Sequence, residues 1–177
     1  MGYISKNLLS MNPRYRKNKL IPIAIGFVLL FCLLWNCKPS ADMAENQDIP
    51  NARWDMAKPL RFEYQCNDTL NYKDILFTIR HTGQYPYSNI FLFVTTLAPN
   101  GSKQKDTVEF MLANTRGKWF GSGIGDVYSL QLIFRRNIRF GQKGRYIFYI
   151  HHGMREKELN GITDFGILIK NSEFKNN

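Results

Sequence analysis

The feature that most constrains this chain is a two-residue rhythm. After Pro59, short runs rich in β-branched and aromatic residues follow one another, bounded by Gly, Asn and Pro, with scarcely any helical periodicity. Successive side chains of an extended strand point to opposite faces, so such alternation buries one face of a sheet and leaves the other to solvent. Leu60 to Gln65 alternates around Phe62 and Tyr64, and Ile75 to His81 places Ile75, Phe77 and Ile79 on one face. Asn89 to Ala98 (NIFLFVTTLA) is dense enough to predict a central strand buried on both sides. Pro99-Asn100-Gly101-Ser102 follows it, and because Asn-Gly suits a tight hairpin turn, Lys103 to Leu112 is expected to return antiparallel. Further strands are expected over Leu130 to Phe140, Arg145 to His151 and Ile162 to Lys170, with Gly141 and Gly144 turning between the first two. About seven strands without a long helix predict an all-β domain, an antiparallel two-sheet sandwich or jelly-roll.

The first 36 residues obey a different logic. Lys6, Arg14, Arg16, Lys17 and Lys19 precede an uninterrupted apolar run, Leu20 to Trp35, and no acidic residue occurs before Asp42. A basic segment followed by 16 apolar residues has the layout of an export signal and falls short of the ~18 expected of a spanning helix. Leu34-Trp35-Asn36-Cys37 then places a cysteine where a lipoprotein signal peptidase would cut and a diacylglyceryl group would be attached. Residues 1–36 are therefore expected to be a lipoprotein signal peptide and Cys37 the lipidation site. Cys32, inside the apolar run, is the rival acceptor. Once the signal is removed and Cys37 acylated, Cys66 is the one thiol left of three, so no intramolecular disulfide can form.

Residues 37–53 carry Pro39 and Pro50 among small, polar and acidic residues and predict a flexible tether. The folded domain is expected over 54–177, with Trp54 as its first fixed point. Five of the 24 Lys and Arg residues precede Cys37, leaving 19 against 14 acidic residues and a mature charge of +5. These charges do not form a block, so no nucleic-acid partner is expected.

Catalytic patterns are weak. Gly117 to Asp126 is glycine-rich, but Lys118 is followed by Trp119 and no phosphate-loop spacing occurs, so a long turn is the expectation. His151 and His152 are adjacent and point to opposite faces of a strand, so they cannot chelate one metal. No serine lies in a nucleophile-elbow setting. Asp106 and Glu109 fall on opposite faces, and Glu156 and Glu158 in a polar loop. The reading is no enzyme, no metal and no small-molecule cofactor. Binding residues concentrate on loops held by a rigid sheet. That favours the aromatic stretches containing Tyr85, Tyr87 and Trp119 as a partner-binding surface.

The blocks Tyr85-Pro86-Tyr87-Ser88-Asn89, Pro99-Asn100-Gly101, Asp106-Thr107-Val108-Glu109-Phe110 and Gly117-Lys118-Trp119 occur in that order. Gly144-Arg145-Tyr146, Met154-Arg155 and Leu159-Asn160-Gly161-Ile162, with Asp164 and Gly166, follow. From about Trp54 to Lys170 the chain thereby resembles the gliding-motility lipoprotein family GldH of the Bacteroidota. The resemblance implies an envelope lipoprotein required for gliding motility. It further implies a structural or assembly component associated with the type IX secretion machinery, lipid-anchored at the outer membrane and facing the periplasm, with other gliding or secretion envelope proteins as partners. It transfers no catalytic motif. The alternative is an envelope carbohydrate-binding or glycan-processing β-sandwich module, in which exposed Tyr85, Tyr87 and Trp119 provide stacking platforms.

Overall fold

The computed structural model describes residues 41–173, so the expected signal segment, Cys32 and Cys37 lie outside the described residues. Eleven strands are formed there: β1 (Met43–Asp48), β2 (Arg53–Asp55), β3 (Leu60–Cys66), β4 (Lys73–Thr82), β5 (Asn89–Leu97), β6 (Lys103–Met111), β7 (Ser122–Ile124), β8 (Val127–Ile138), β9 (Gly144–His152), β10 (Glu158–Asn160) and β11 (Ile162–Asn171). One sheet has the order β1-β11-β4-β8-β7 and the other β3-β9-β5-β6, while β10 and β2 make a short ribbon. Every pairing is antiparallel. The all-β expectation holds, in its sandwich form.

The two sheets meet through the side chains that the alternation selects. Phe77 on β4 lies 5.1 Å from the ring of Phe165 on β11 and 6.1 Å from Phe110 on β6, and Phe62 on β3 lies 6.2 Å from Phe165. Ile75, Ile79, Ile90, Leu92, Phe148, Ile150, Ile167 and Ile169 complete the buried layer. Trp54 is buried, as expected of a fixed point, and packs on Phe165 at 5.5 Å. The β5–β6 hairpin turns as its Asn-Gly predicts: Gly101 holds φ at +84° and its N–H donates to the Ala98 carbonyl.

Three expectations are corrected. Residues 37–53 are not a tether throughout, because β1 pairs with β11 from Met43↔Ile169 to Asp48↔Asp164. A mostly polar sequence (MAENQD) can do this at a sheet edge, where one side of the backbone bonds its neighbour and the side chains stay wet. Second, β5 is central but not buried on both sides. Ile90, Leu92 and Val94 face the core, whereas Phe93 is 46% exposed on the outer face. An antiparallel sandwich covers one face of each sheet only. Third, the one thiol left for the mature chain is no half-buried strand-end residue, as a small side chain at that place would be expected to be: Cys66 is fully buried, closing β3 with its thiol donating to the Asp68 carbonyl.

Candidate functional site

The aromatic residues singled out in the sequence converge at one end of the sandwich. β4 ends there with His81 and Thr82, and the Thr82 carbonyl accepts the N–H of Tyr85, closing a turn through Gly83 and Gln84. Asp126, just before β8, holds this turn by accepting the Gly83 N–H at both its backbone and its side-chain oxygen. Tyr85 is then driven inward. It is 3% exposed, and its hydroxyl donates to the Asn89 carbonyl at 2.8 Å. Its backbone lies against Gly161, whose φ of +93° and missing side chain permit the approach.

Trp119 arrives from a second loop. Leu112 and Ala113 both donate to the Ser88 carbonyl, and Ala113 bridges to Trp119. The intervening turn is organised by Asn114, whose side-chain oxygen accepts the N–H groups of Arg116 and Lys118. Gly117, Gly121 and Gly125 all adopt positive φ, so the stretch forms the turn expected of it, with the short β7 inside it. The indole of Trp119 lands on the ring of buried His81 at 4.6 Å, edge to face, with Tyr128 at 6.1 Å and Tyr85 at 6.3 Å. His81 stacks on Tyr128 at 5.5 Å. Tyr87 sits on the flank, 5.9 Å from Tyr85, with its hydroxyl donating to Glu156.

The structure thus brings Tyr85, Tyr87 and Trp119 together but gives them unequal parts. Tyr85 is a core residue, because burial of its ring and its bond to Asn89 remove it from any surface, and this corrects the expectation that it is exposed. Trp119 and Tyr87 are half-buried and offer one edge each. Burial pushes the His81 imidazole toward its neutral form, with Nδ1–H donating to the Thr82 carbonyl and Nε2 left without a partner among the described residues. Burial likewise raises the Tyr85 phenol, and the Glu156 carboxylate raises that of Tyr87 while its own pKa is lowered by that bond. A neutral imidazole and un-ionised phenols make a rigid, apolar base under a half-exposed indole.

His81 and Tyr128 complete this site and were missed by sequence reasoning, since nothing in their spacing signals that they meet; Asp126 closes the glycine-rich stretch that the sequence did single out. The other histidines behave as adjacency requires. His151 points outward, near the Met56 carbonyl at 3.0 Å, and His152 points into the core. Among the described residues no three of His, Cys, Asp and Glu come together as metal ligands. A second concavity, of about 370 Å³, opens between the sheets, floored by Ile75, Phe140, Tyr146 and Phe148. Arg135 crosses it to pair with Asp106. Register shifts between β4 and β8 interrupt the alternation, so Phe134, Arg135 and Arg139 all line it.

A family profile described as GldH lipoprotein matches residues 42–169, beginning one residue before β1. The chain is 30% identical over 154 residues to the gliding motility lipoprotein GldH homolog of Christiangramia forsetii, covering 83% of this chain and 94% of that one. It is 28% identical over 156 residues to the gliding motility lipoprotein GldH of Flavobacterium johnsoniae, covering 84% and 96%. With the sandwich and its aromatic end in place across the matched span, the chain belongs to the GldH lipoprotein family.

Proposed function

We propose that this protein is a structural or assembly component of the gliding machinery, anchored through a lipid on Cys37 and acting by binding rather than catalysis. Its place is the outer membrane, facing the periplasm, in association with the type IX secretion apparatus. The observation that carries the binding role is the partly exposed Trp119 seated on His81 and Tyr128. A large aromatic held in one orientation loses little entropy on binding, and such residues dominate interface energetics. The glycan-binding alternative is weakened, because Tyr85 is buried and cannot stack on a sugar.

The test is affinity capture from native membranes of a gliding host in which this chain replaces the resident relative. Wild-type protein is expected to retain gliding or secretion envelope proteins, and Trp119→Ala to lose them together with gliding. Capture and gliding both unchanged in Trp119→Ala would overturn the docking role. The anchor is tested by palmitate labelling, which Cys37→Ser should abolish.

A further inference from the structure

We infer that the end of the sandwich where the chain enters rests on an anionic bilayer, with Leu70 in the interfacial layer and Lys103, Arg139 and Lys143 against lipid headgroups. The inference deepens the anchoring reading and rests on it. Its first support is reach. Asp42 follows Cys37 by five residues, and five residues span at most ~17 Å when fully extended. Asp42 is already fixed to the domain: its N–H donates to the Ile169 carbonyl at 2.8 Å and its carboxylate meets Lys73 at 2.5 Å. The ten residues of β4 extend roughly 33 Å toward the aromatic end. Turning that far end to the membrane would carry Asp42 beyond the reach of its anchor.

The entry end is one continuous surface. The guanidinium of Arg139 lies 5.1 Å from the ring of Tyr72, joining the loop after β8 to the loop before β4. Gly144, opening β9, abuts Pro99 of the β5–β6 turn. The acidic groups there are engaged: Asp42 and Asp68 by Lys73, Glu63 by Arg61 and Arg145, Glu173 by Lys170. Lys103, Arg139 and Lys143 have no carboxylate partner among the described residues and are exposed, leaving the surface positive. At the opposite end Arg155, Glu156, Lys157 and Glu158 alternate in sign while Arg116 and Lys118 are exposed, so it is the reach of Asp42, and not charge alone, that selects the entry end.

The apolar component is Leu70, 80% exposed, the most exposed of the large hydrophobic side chains among the described residues. It is held out by design of the loop: the Asp68 carboxylate accepts the Leu70 N–H at 2.8 Å and the Asn71 side chain at 2.6 Å. An apolar tip among cations beside a lipid anchor supplies the second contact that a single lipidated site needs for stable orientation on an anionic surface.

The experiment uses the full lipidated protein in vesicles of phosphatidylethanolamine and phosphatidylglycerol, some lipids carrying nitroxides. An environment-sensitive fluorophore is placed at Gln142→Cys, at the entry end, or at Arg116→Cys, at the far end; Cys66 is buried and Cys37 acylated, so neither competes. The fluorophore at 142 is expected to shift to the blue and be quenched, and that at 116 to do neither. Leu70→Ser with Lys143→Glu should reduce the quenching at 142. Equal quenching at both positions, as for a domain lying on its side, or stronger quenching at 116, would overturn the inference. Palmitate labelling of the same samples separates the two readings. Label on Cys37 with equal quenching defeats the orientation alone. Absence of the label, with quenching confined to 142 when both positions are measured again in a Cys37→Ser background, removes Cys37 as the anchor and retains the membrane-facing end.

Discussion

The ammonium of Lys73 lies 2.5 Å from the carboxylate of Asp42, tying the buried first residue of β4 to the residue that precedes β1. Lys73 is 2% exposed, and its other partners are Asn171 at 2.7 Å and Asp68 at 3.6 Å. A charge taken out of water must be compensated by such partners, and removing one is costly even when others remain. Asp42→Ala should therefore lower stability by about 2 kcal/mol in urea unfolding and release β1, seen as lost hydrogen-exchange protection over residues 43–48. Lys73→Met should cost less, because the carboxylates it abandons are each about one-third exposed and can be hydrated. The reverse order would show that the lysine, not the desolvated charge, is what the structure requires.

The domain should lose stability in mild acid. Burial lowers the pKa of both His81 and His152 below the ordinary 6.5. Below that value the unfolded chain takes up protons that the folded chain refuses, so stability is full above pH 6.5 and falls as pH drops toward the folded values. With two groups the slope cannot exceed about 2.7 kcal/mol per pH unit. Urea midpoints measured from pH 8 to pH 5 should decline below 6.5, and His81→Phe should flatten the decline. A separate loss at stronger acid is expected from Asp68, which the Leu70 and Asn71 N–H groups hold at about 2.

Gly161→Ala should disrupt the aromatic end selectively. The new methyl would sit 2.8 Å from the Tyr85 Cα at a backbone φ of +93°, and strain of that kind costs about 1–3 kcal/mol. The expected result is a lower melting temperature with the β-sheet spectrum retained, and exchange protection lost first over residues 83–88. Uniform loss of protection across both sheets would show that Tyr85 supports the whole core rather than one end.

Trp119→Ala should cost less than the ~3 to 5 kcal/mol of a fully buried aromatic, because part of the indole is exposed. His81 would gain water access, and its imidazole titration, followed by NMR, should move up toward the ordinary value. A full-size stability loss would make Trp119 a core residue with no surface left for a partner.

Much of this fold was legible because burial selects every second residue. Phe62 and Tyr64, then Ile75, Phe77 and Ile79, face the core as their alternation requires, and Asn100-Gly101 turns the hairpin it announces. β1 was not legible, since an edge strand needs one row of backbone bonds and no apolar face, and MAENQD offers none. Tyr85 misled for a related reason: a Pro-flanked, turn-forming stretch belongs on the surface, yet the neighbouring Gly161 opens a space that only the folded chain reveals. His81 and Tyr128 lie far apart in sequence and come together under Trp119 only through the register of β4 with β8. Lys73 reads as a surface charge until the carboxylates of Asp42 and Asp68 are seen around it.

The full-length pairing of β1 with β11 also sets how the domain would respond to a pull on its entering chain. β1 runs from the end where the chain enters toward the aromatic end, so a pull on residue 42 against a load held at the aromatic end would act along the axis of β1. Its hydrogen bonds to β11 are then sheared together rather than unzipped one after another, and the Lys73–Asp42 pair resists the first slip. Rupture would be limited by the rate of that collective step, so the domain could transmit a steady pull well after a peeling strand would have opened.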